Sequence, residues 1–137
     1  MKRSLKRAGA LVLGLVFLLA LLPGGALAAT TVASGDCGDN LTWTLDSDGV
    51  LTISGTGDMT SHPWRDLVYI ERITEVVIGS GVTSIGDWAF EDCSALTTVT
   101  IPGSVTSIGY CAFAECSSLS GVIIPDGVTS IGEHARG

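Results

Sequence analysis

The five residues VTSIG occur three times in this 137-residue chain, at Val82–Gly86, Val105–Gly109 and Val128–Gly132. Each copy begins 23 residues after the one before it. The residues around VTSIG repeat as well: when the chain is aligned with itself at a shift of 23, Ile78–Thr100 and Ile101–Ile123 share twelve identical positions. Self-similarity at a fixed period of this length is typical of a solenoid in which each repeat forms one coil.

The apolar positions of the repeat predict the shape of one coil. Leu96, Val99 and Ile101 have the L-x-x-L-x-L spacing of a leucine-rich repeat strand, and Pro102 follows where its missing N–H ends the strand. The VTSI residues predict a second short strand, and the A-F-x-x-C-x-x-L spacing predicts a short helical or 3-10 turn. We therefore predict a β-rich leucine-rich-repeat solenoid, with a β-helix-like solenoid as the alternative. The strand spacing recurs in the neighbouring repeats, at Ile73, Val76 and Ile78 and at Leu119, Val122 and Ile124.

The first 28 residues have the layout of a secretory signal peptide. A basic opening precedes an apolar run from Leu11 to Leu22, and Ala26–Ala28 offers small residues for cleavage. We predict cleavage after Ala28 and export to the cell surface or the medium. The alternative is an anchor that is kept, but this apolar run is short for the ~20 residues that span a bilayer.

Removal of residues 1–28 makes the chain strongly acidic. Three arginines then remain against fourteen acidic residues, which gives a formal charge of −11. A surface of this charge argues against binding to nucleic acid or to anionic lipid. We expect neither partner, and no membrane span once the signal peptide is cleaved.

The residues between the signal peptide and the repeats predict a β-hairpin. Leu41–Leu45 alternates between apolar and polar residues, Asp48-Gly49 supplies turn chemistry, and Val50–Ile53 forms the return strand. Such a hairpin would cover the first coil. We therefore divide the chain into a signal peptide at 1–28, a cap region at 29–72, and repeats at 73–137 with two full copies and an incomplete third. Further apolar residues extend the predicted cover: Met59, Trp64, Leu67, Val68 and Ile70.

The string LTTVTIPGSVTSIGYCAFAECSSL, at Leu96–Leu119, resembles the BspA-like, surface-antigen type of bacterial leucine-rich repeat. That family shares the I-P-x-x-V-T-S-I-G-x-x-A-F-x-x-C-x-x-L pattern and the repeat length. The resemblance extends from Ile73 to about Ala135, and Ser34–Thr60 is similar to the region that often precedes such repeats. It implies an exported or surface protein that acts in adhesion or ligand binding.

The chain departs from the family in its number of repeats. Members usually carry many copies, whereas the third copy here breaks off and Arg136 stands where Phe90 and Phe113 stood. We expect a truncated piece of a longer protein; the alternative is that another copy or a partner covers the last coil. The expected function is non-catalytic binding to an extracellular protein or carbohydrate, with possible self-association through the last repeat. A structural spacer of a longer surface protein or exported enzyme is the alternative.

Binding residues are expected at the variable repeat positions, because the repeated positions point inward. Trp88 and Tyr110 are candidates because interface hot spots favour aromatic residues. Each of them is equally well explained as a cover for its own coil. The outward positions of the strand segments add four polar candidates: Thr97, Thr98, Thr100 and Ser120.

Catalysis, cofactors and metals have little support in the sequence. His62 and His134 are the only histidines, and neither lies in a hydrolase or metalloprotease motif. Asp46–Gly49 resembles the start of a calcium loop, but Gly57 stands where that loop needs a bidentate glutamate. We expect no enzymatic activity, no cofactor and no metal site.

The four cysteines enter an oxidising environment if the chain is exported. Their even number permits three pairings and establishes none. Cys93 and Cys116 occupy the same position in adjacent repeats, where side chains run parallel instead of towards each other, and we predict that both are buried free thiols. Cys37 and Cys111 have no evident partner.

Overall fold

The computed structural model describes residues 28–66 and 70–135. The predicted signal peptide therefore lies outside the described residues, as do Leu67, Val68 and Arg136. In the described part of the chain, no helix combines the length and apolar character needed to cross a membrane. The strands are β1 Thr31–Gly38, β2 Leu41–Asp46, β3 Val50–Gly55, β4 Gly57–Asp58, β5 Glu75–Ile78, β6 Val82–Ile85, β7 Thr98–Thr100, β8 Ser107–Ile108 and β9 Ser130–Ile131, and 3-10 helices lie at Pro63–Asp66 and Ile70–Arg72.

The VTSIG copies stack on one another, as the 23-residue period predicts. Strands β6, β8 and β9 pair in parallel, with Ser107 opposite both Ser84 and Ser130. Strand β4 completes this four-stranded sheet next to β6. The partners in the repeat strands are therefore one period apart, and the predicted solenoid is confirmed.

A second sheet joins the cap to the repeats. Its strand order is β1-β2-β3-β5-β7, with antiparallel pairs from β1 to β3 and parallel pairs from β3 to β7. The predicted hairpin is confirmed as β2 and β3, and Gly49 takes the left-handed φ of 87° that its turn requires. Because β3 pairs directly with β5, the hairpin occupies the edge that the first coil would otherwise expose.

Strand β1 was not predicted from the sequence. Its residues TVASGDCG are mostly small or polar and do not alternate between apolar and polar as a half-buried strand does. In the structure, Cys37 is the single fully buried residue among them. Backbone pairing with β2 holds the strand in place, and the register shifts twice along it. Sequence periodicity cannot report a strand that is fixed by its backbone.

The turn after each VTSIG copy contains 3-10 hydrogen bonds but no continuous helix. The N–H groups of Ala89, Glu91 and Cys93 each donate to the carbonyl three residues earlier, at 3.3 Å. The N–H groups that alternate with these, at Trp88, Phe90 and Asp92, donate instead to carbonyls of the next coil. The predicted 3-10 turn is thus confirmed in a broken form, in which every second donor joins two coils.

The core is a column of aromatic rings flanked by aliphatic side chains. Phe90 stacks on Phe113 at 5.4 Å between ring centroids, and Trp64 of the cap stacks on Phe90 at 5.5 Å. Trp43 of the hairpin meets Trp64 edge to face at 5.8 Å. Met59 is buried and Ile70 is partly buried, in agreement with their predicted place in the cover. The cap thus extends the core of the repeats.

The strand predicted over Leu119–Ile124 is wrong. The structure assigns no strand there, and Ile123 is 86% exposed. The equivalent strand one repeat earlier, β7, has β5 beside it and ends the sheet. The apolar spacing alone does not make a strand at the end of a parallel sheet, because a short strand gains little from pairing on one side only.

Candidate functional site

Three rings form an exposed ladder beside the VTSIG sheet. Trp88 and Tyr110 are each 41% exposed, and their rings meet at 5.3 Å with an angle of 80°. The ring of His134 lies 6.0 Å from that of Tyr110 at an angle of 86°. We call these three residues the aromatic edge. The structure therefore brings together the two aromatic candidates of the sequence and adds a third ring.

The backbone fixes the aromatic edge tightly. Trp88 donates its N–H to the Tyr110 carbonyl at 2.8 Å, and Asp87 Oδ1 accepts the Tyr110 N–H at 2.7 Å. Trp88 and His134 share the left-handed conformation, with φ of 55° and 57°. The rings are consequently held by the contacts between coils, and a partner would meet a surface that is already ordered.

Two columns of repeat positions supply the groups at this edge. Asp87, Tyr110 and Glu133 are equivalent residues of successive coils, 23 residues apart. The next position holds Trp88, Cys111 and His134. His134 was not among the binding residues predicted from the sequence, although its position two periods after Trp88 is the signal that places it beside the aromatic candidates.

Acidic groups surround Tyr110. The pKa of the Tyr110 hydroxyl is raised, and the largest causes are a hydrogen bond with Cys111 and the charge of that residue. Desolvation and the charges of Glu133 and Glu91 raise it further. Arg65 of the cap balances part of the nearby negative charge, because its Nη2 lies 2.8 Å from Glu91 Oε1 and 3.8 Å from Asp92 Oδ2. The carboxylates of Glu133 and Glu91 thus act electrostatically on the exposed ring.

The threonine candidates lie on a different sheet from the VTSIG strands. Thr98 and Thr100 belong to β7 and are exposed together with Thr97, as predicted. The Thr97 hydroxyl donates to the Thr74 carbonyl at 3.2 Å, so it already serves the contact between coils. Ser120, one period after Thr97, is exposed outside any strand. These residues form a second surface, separate from the aromatic edge.

The four cysteines are free. Burial, followed by the charge of Cys116, raises the pKa of the Cys93 thiol to about 12. Burial also raises the pKa of Cys116 to about 11, and its Sγ donates to the Phe90 carbonyl at 3.1 Å. The predicted free thiols are confirmed, and burial is complete for Cys93 but only partial for Cys116.

The acidic turn of the cap is part of the hairpin. Asp46 Oδ1 accepts the backbone N–H groups of Asp48 and Val50 at 2.9 and 3.0 Å. Over residues 28–66 and 70–135, no group of three or more His, Cys, Asp or Glu residues is placed to hold a metal ion. The Asp46 carboxylate therefore works as a turn residue.

The last coil ends in an apolar depression. Its volume is about 360 Å³, and the side chain of Ile131 at its rim is 55% exposed. The ring of Phe113, buried on its other face against Phe90, forms part of its wall. The remaining lining residues are Ile108, Ile124, Gly132, His134 and Ala135.

Known proteins share the repeat and the fold. The family described as "BspA type Leucine rich repeat region (6 copies)" matches residues 68–135. A leucine-rich repeat protein from Eubacterium ventriosum ATCC 27560 is 36% identical over 76% of this chain and 28% of its own, with a TM-score of 0.65. A leucine-rich repeat protein from Bacteroides ovatus ATCC 8483 is 25% identical over 72% of this chain and 31% of its own, with a TM-score of 0.50.

A more distant structure supports the fold alone. The T. pallidum leucine-rich repeat protein is 19% identical over 72% of this chain and 54% of its own, with a TM-score of 0.50. The chain thus spans between 28% and 54% of the length of these three proteins. No curated protein matches the chain.

Proposed function

Because residues 68–135 belong to the BspA-type leucine-rich repeat family, we propose that this chain is an exported, non-catalytic binding protein that contacts its partner through the aromatic edge. Leucine-rich repeat solenoids typically bind proteins and present extended surfaces for that purpose. The proposal of export rests on the predicted signal peptide at residues 1–28. Adhesion to an extracellular protein or glycan is the corresponding biological role.

One observation carries this proposal: Trp88 and Tyr110 are exposed, although other aromatic residues of the chain are buried in the core. The aromatic column takes in Trp43, Trp64, Phe90 and Phe113, whereas Trp88 and Tyr110 lie outside it at 41% exposure. Exposed aromatic residues on an ordered backbone bind with little loss of conformational entropy. The exposed part of each ring is therefore available to a partner.

Binding to arrays of immobilised extracellular proteins and glycans tests the proposal. We expect at least one partner whose affinity falls roughly 30-fold or more in W88A, in line with a hot-spot loss of about 2 kcal/mol. T98A, on β7, tests the second candidate surface, and we expect it to leave that affinity unchanged. If no array member binds, or if T98A weakens binding and W88A does not, the aromatic edge is not the binding surface.

A structural spacer is the alternative function. It is favoured by the length comparison, since the similar proteins are two to four times longer than the matched part. In that case the coils would set the distance between other domains of a longer protein that contains this chain. Neither W88A nor T98A would then change the binding of that longer protein to its partners.

A further inference from the structure

The charges at the aromatic edge identify the kind of partner it fits. We propose that this edge binds a cationic side chain, arginine or lysine, carried by a basic segment of a protein partner. The inference rests on the proposed function and narrows it from binding in general to one ligand chemistry.

The rings supply the first part of a cation site. Cations are attracted to the faces of tryptophan and tyrosine rings within about 6 Å of the ring centroid. Tyr110 lies between two other rings, with centroids 5.3 Å from Trp88 and 6.0 Å from His134, and both contacts are edge to face. In each of these edge-to-face contacts the edge of one ring covers a face of the other, and 41% of Trp88 and of Tyr110 remains exposed to a ligand.

The carboxylates supply the second part. Asp87 and Glu133 occupy the same repeat position as Tyr110, one coil before it and one coil after it. Paired strands of adjacent coils lie about 4.8 Å apart, so an acidic residue flanks Tyr110 on each side along the stack. The Asp87 carboxylate accepts the backbone N–H of Tyr110 at 2.7 Å, which fixes it beside that residue. Both acids are exposed to solvent.

The balance of charge in the cap points the same way. Arg65 of the cap pairs with Glu91 and lies 3.8 Å from Asp92, so it offsets part of the negative charge of those two residues. Asp87 and Glu133 belong instead to the column that contains Tyr110. A guanidinium placed over the Tyr110 ring could meet a carboxylate in either neighbouring coil, which is the combination of stacking and hydrogen bonding that arginine favours. A neutral sugar would use the rings and could donate hydroxyl hydrogen bonds to these carboxylates, but only a cation also gains from their negative charge.

The local field can be measured through Trp88 itself. Trp43 and Trp64 are buried, with exposures of 2% and 0%, so collisional quenching of the purified protein reports chiefly on Trp88. We expect caesium to quench this fluorescence more efficiently than iodide does. The double variant D87N/E133Q should bring the quenching efficiencies of caesium and iodide close together, because it removes both negative charges. Asparagine at position 87 can still accept the Tyr110 N–H, so the contact between the coils is kept. D39N, in the exposed turn between β1 and β2, is the control that removes a charge elsewhere.

The ligand chemistry is tested with two peptides of equal length. One carries six arginines in a neutral sequence, and the other carries citrulline, a neutral residue of nearly the same shape, at the same positions. We expect the arginine peptide to bind the purified protein at least tenfold more tightly than the citrulline peptide. This difference in affinity should disappear in D87N/E133Q but not in D39N. The affinity of the arginine peptide should also fall as the salt concentration rises. Equal binding of both peptides, or binding that ignores salt and the double variant, would overturn the inference.

The two proposals fail in different ways. A partner from the arrays that is lost in W88A but unaffected by salt and by D87N/E133Q would keep the aromatic edge as the binding surface and refute the cationic ligand. Partners that are indifferent to W88A would refute the surface itself.

Discussion

Trp64 shows at the scale of one residue how the cap and the repeats share a core. Its ring stacks on Phe90, and its indole N–H donates to the Ala89 carbonyl at 2.7 Å. The sequence predicted Trp64 as apolar cover, but it lies 26 residues before Phe90 instead of 23, and so the period does not reveal that it replaces a repeat phenylalanine. Only the folded cap, with its different chain length, brings the indole into the column.

Replacement of Trp64 should destabilise the whole chain. W64A removes a fully buried ring, and we expect it to lower the free energy of unfolding by about 3–5 kcal/mol. W64F keeps a stacked ring but leaves the Ala89 carbonyl without its donor, and a loss of about 1–3 kcal/mol is expected. Urea unfolding followed by circular dichroism measures both.

The exposed Trp88 offers the matched control for this series. W88A should change the unfolding free energy by less than about 1 kcal/mol, because it empties no core position. Equal urea midpoints for W64A and the unsubstituted chain would show that the cap packs independently of the repeats.

The turns after the second and third VTSIG copies show, at the scale of the element, why glycine closes those two copies. A Cβ on Gly109 would come within 2.5 Å of the Asp87 backbone nitrogen, and one on Gly132 would come equally close to the Tyr110 nitrogen. At these two positions only a residue without a Cβ lets the second and third coils come this close to the coil before them. Because the clash is with backbone atoms, no side-chain movement relieves it.

Substitution of two glycines of the same repeat tests this account. G109A should lower the free energy of unfolding by about 1–3 kcal/mol, the usual range for overpacking. G103A is the control, because a Cβ there meets no atom within 4 Å; it should be neutral or stabilise by up to about 1 kcal/mol. The two variants are compared by urea unfolding at one temperature, and a G109A protein as stable as G103A would contradict the close approach of the coils.

Elements were predictable from the sequence where side chains alternate or repeat. The hairpin of β2 and β3 followed from the alternation at Leu41–Leu45, and β6 and β8 followed from the period. Strand β1 and the sharing of donors in the turns were not predictable, since both depend on backbone hydrogen bonds. The place of His134 beside the aromatic candidates was predictable, by contrast, because it lies two periods after Trp88.

At the scale of the whole molecule, the two ends of the stack differ. The hairpin pairs with β5 at one end, whereas the last coil exposes Ile123 and the apolar depression beside Ile131. The sequence predicted the covered end, because the cap residues precede the repeats.

A protein of residues 29–137 should therefore associate with itself or dissolve poorly. The exposed isoleucines favour contact between copies, since burial of apolar surface contributes about 25 cal/mol per Å². Sedimentation at several concentrations should show oligomers that I131K reduces or removes. D39N, a surface change in the cap, serves as the control and should leave the association as it is. A monomeric protein that melts cooperatively at every concentration would refute this expectation.

The regular pairing of Ser84, Ser107 and Ser130 has a consequence for the gene. Each layer corresponds to 23 codons, which is 69 nucleotides, and an in-frame duplication or deletion of that length adds or removes one complete layer. After a duplication, the layers on either side would meet the same neighbours as before. Changes by a multiple of 69 nucleotides thus keep the ladder in register, while changes of other lengths would break it.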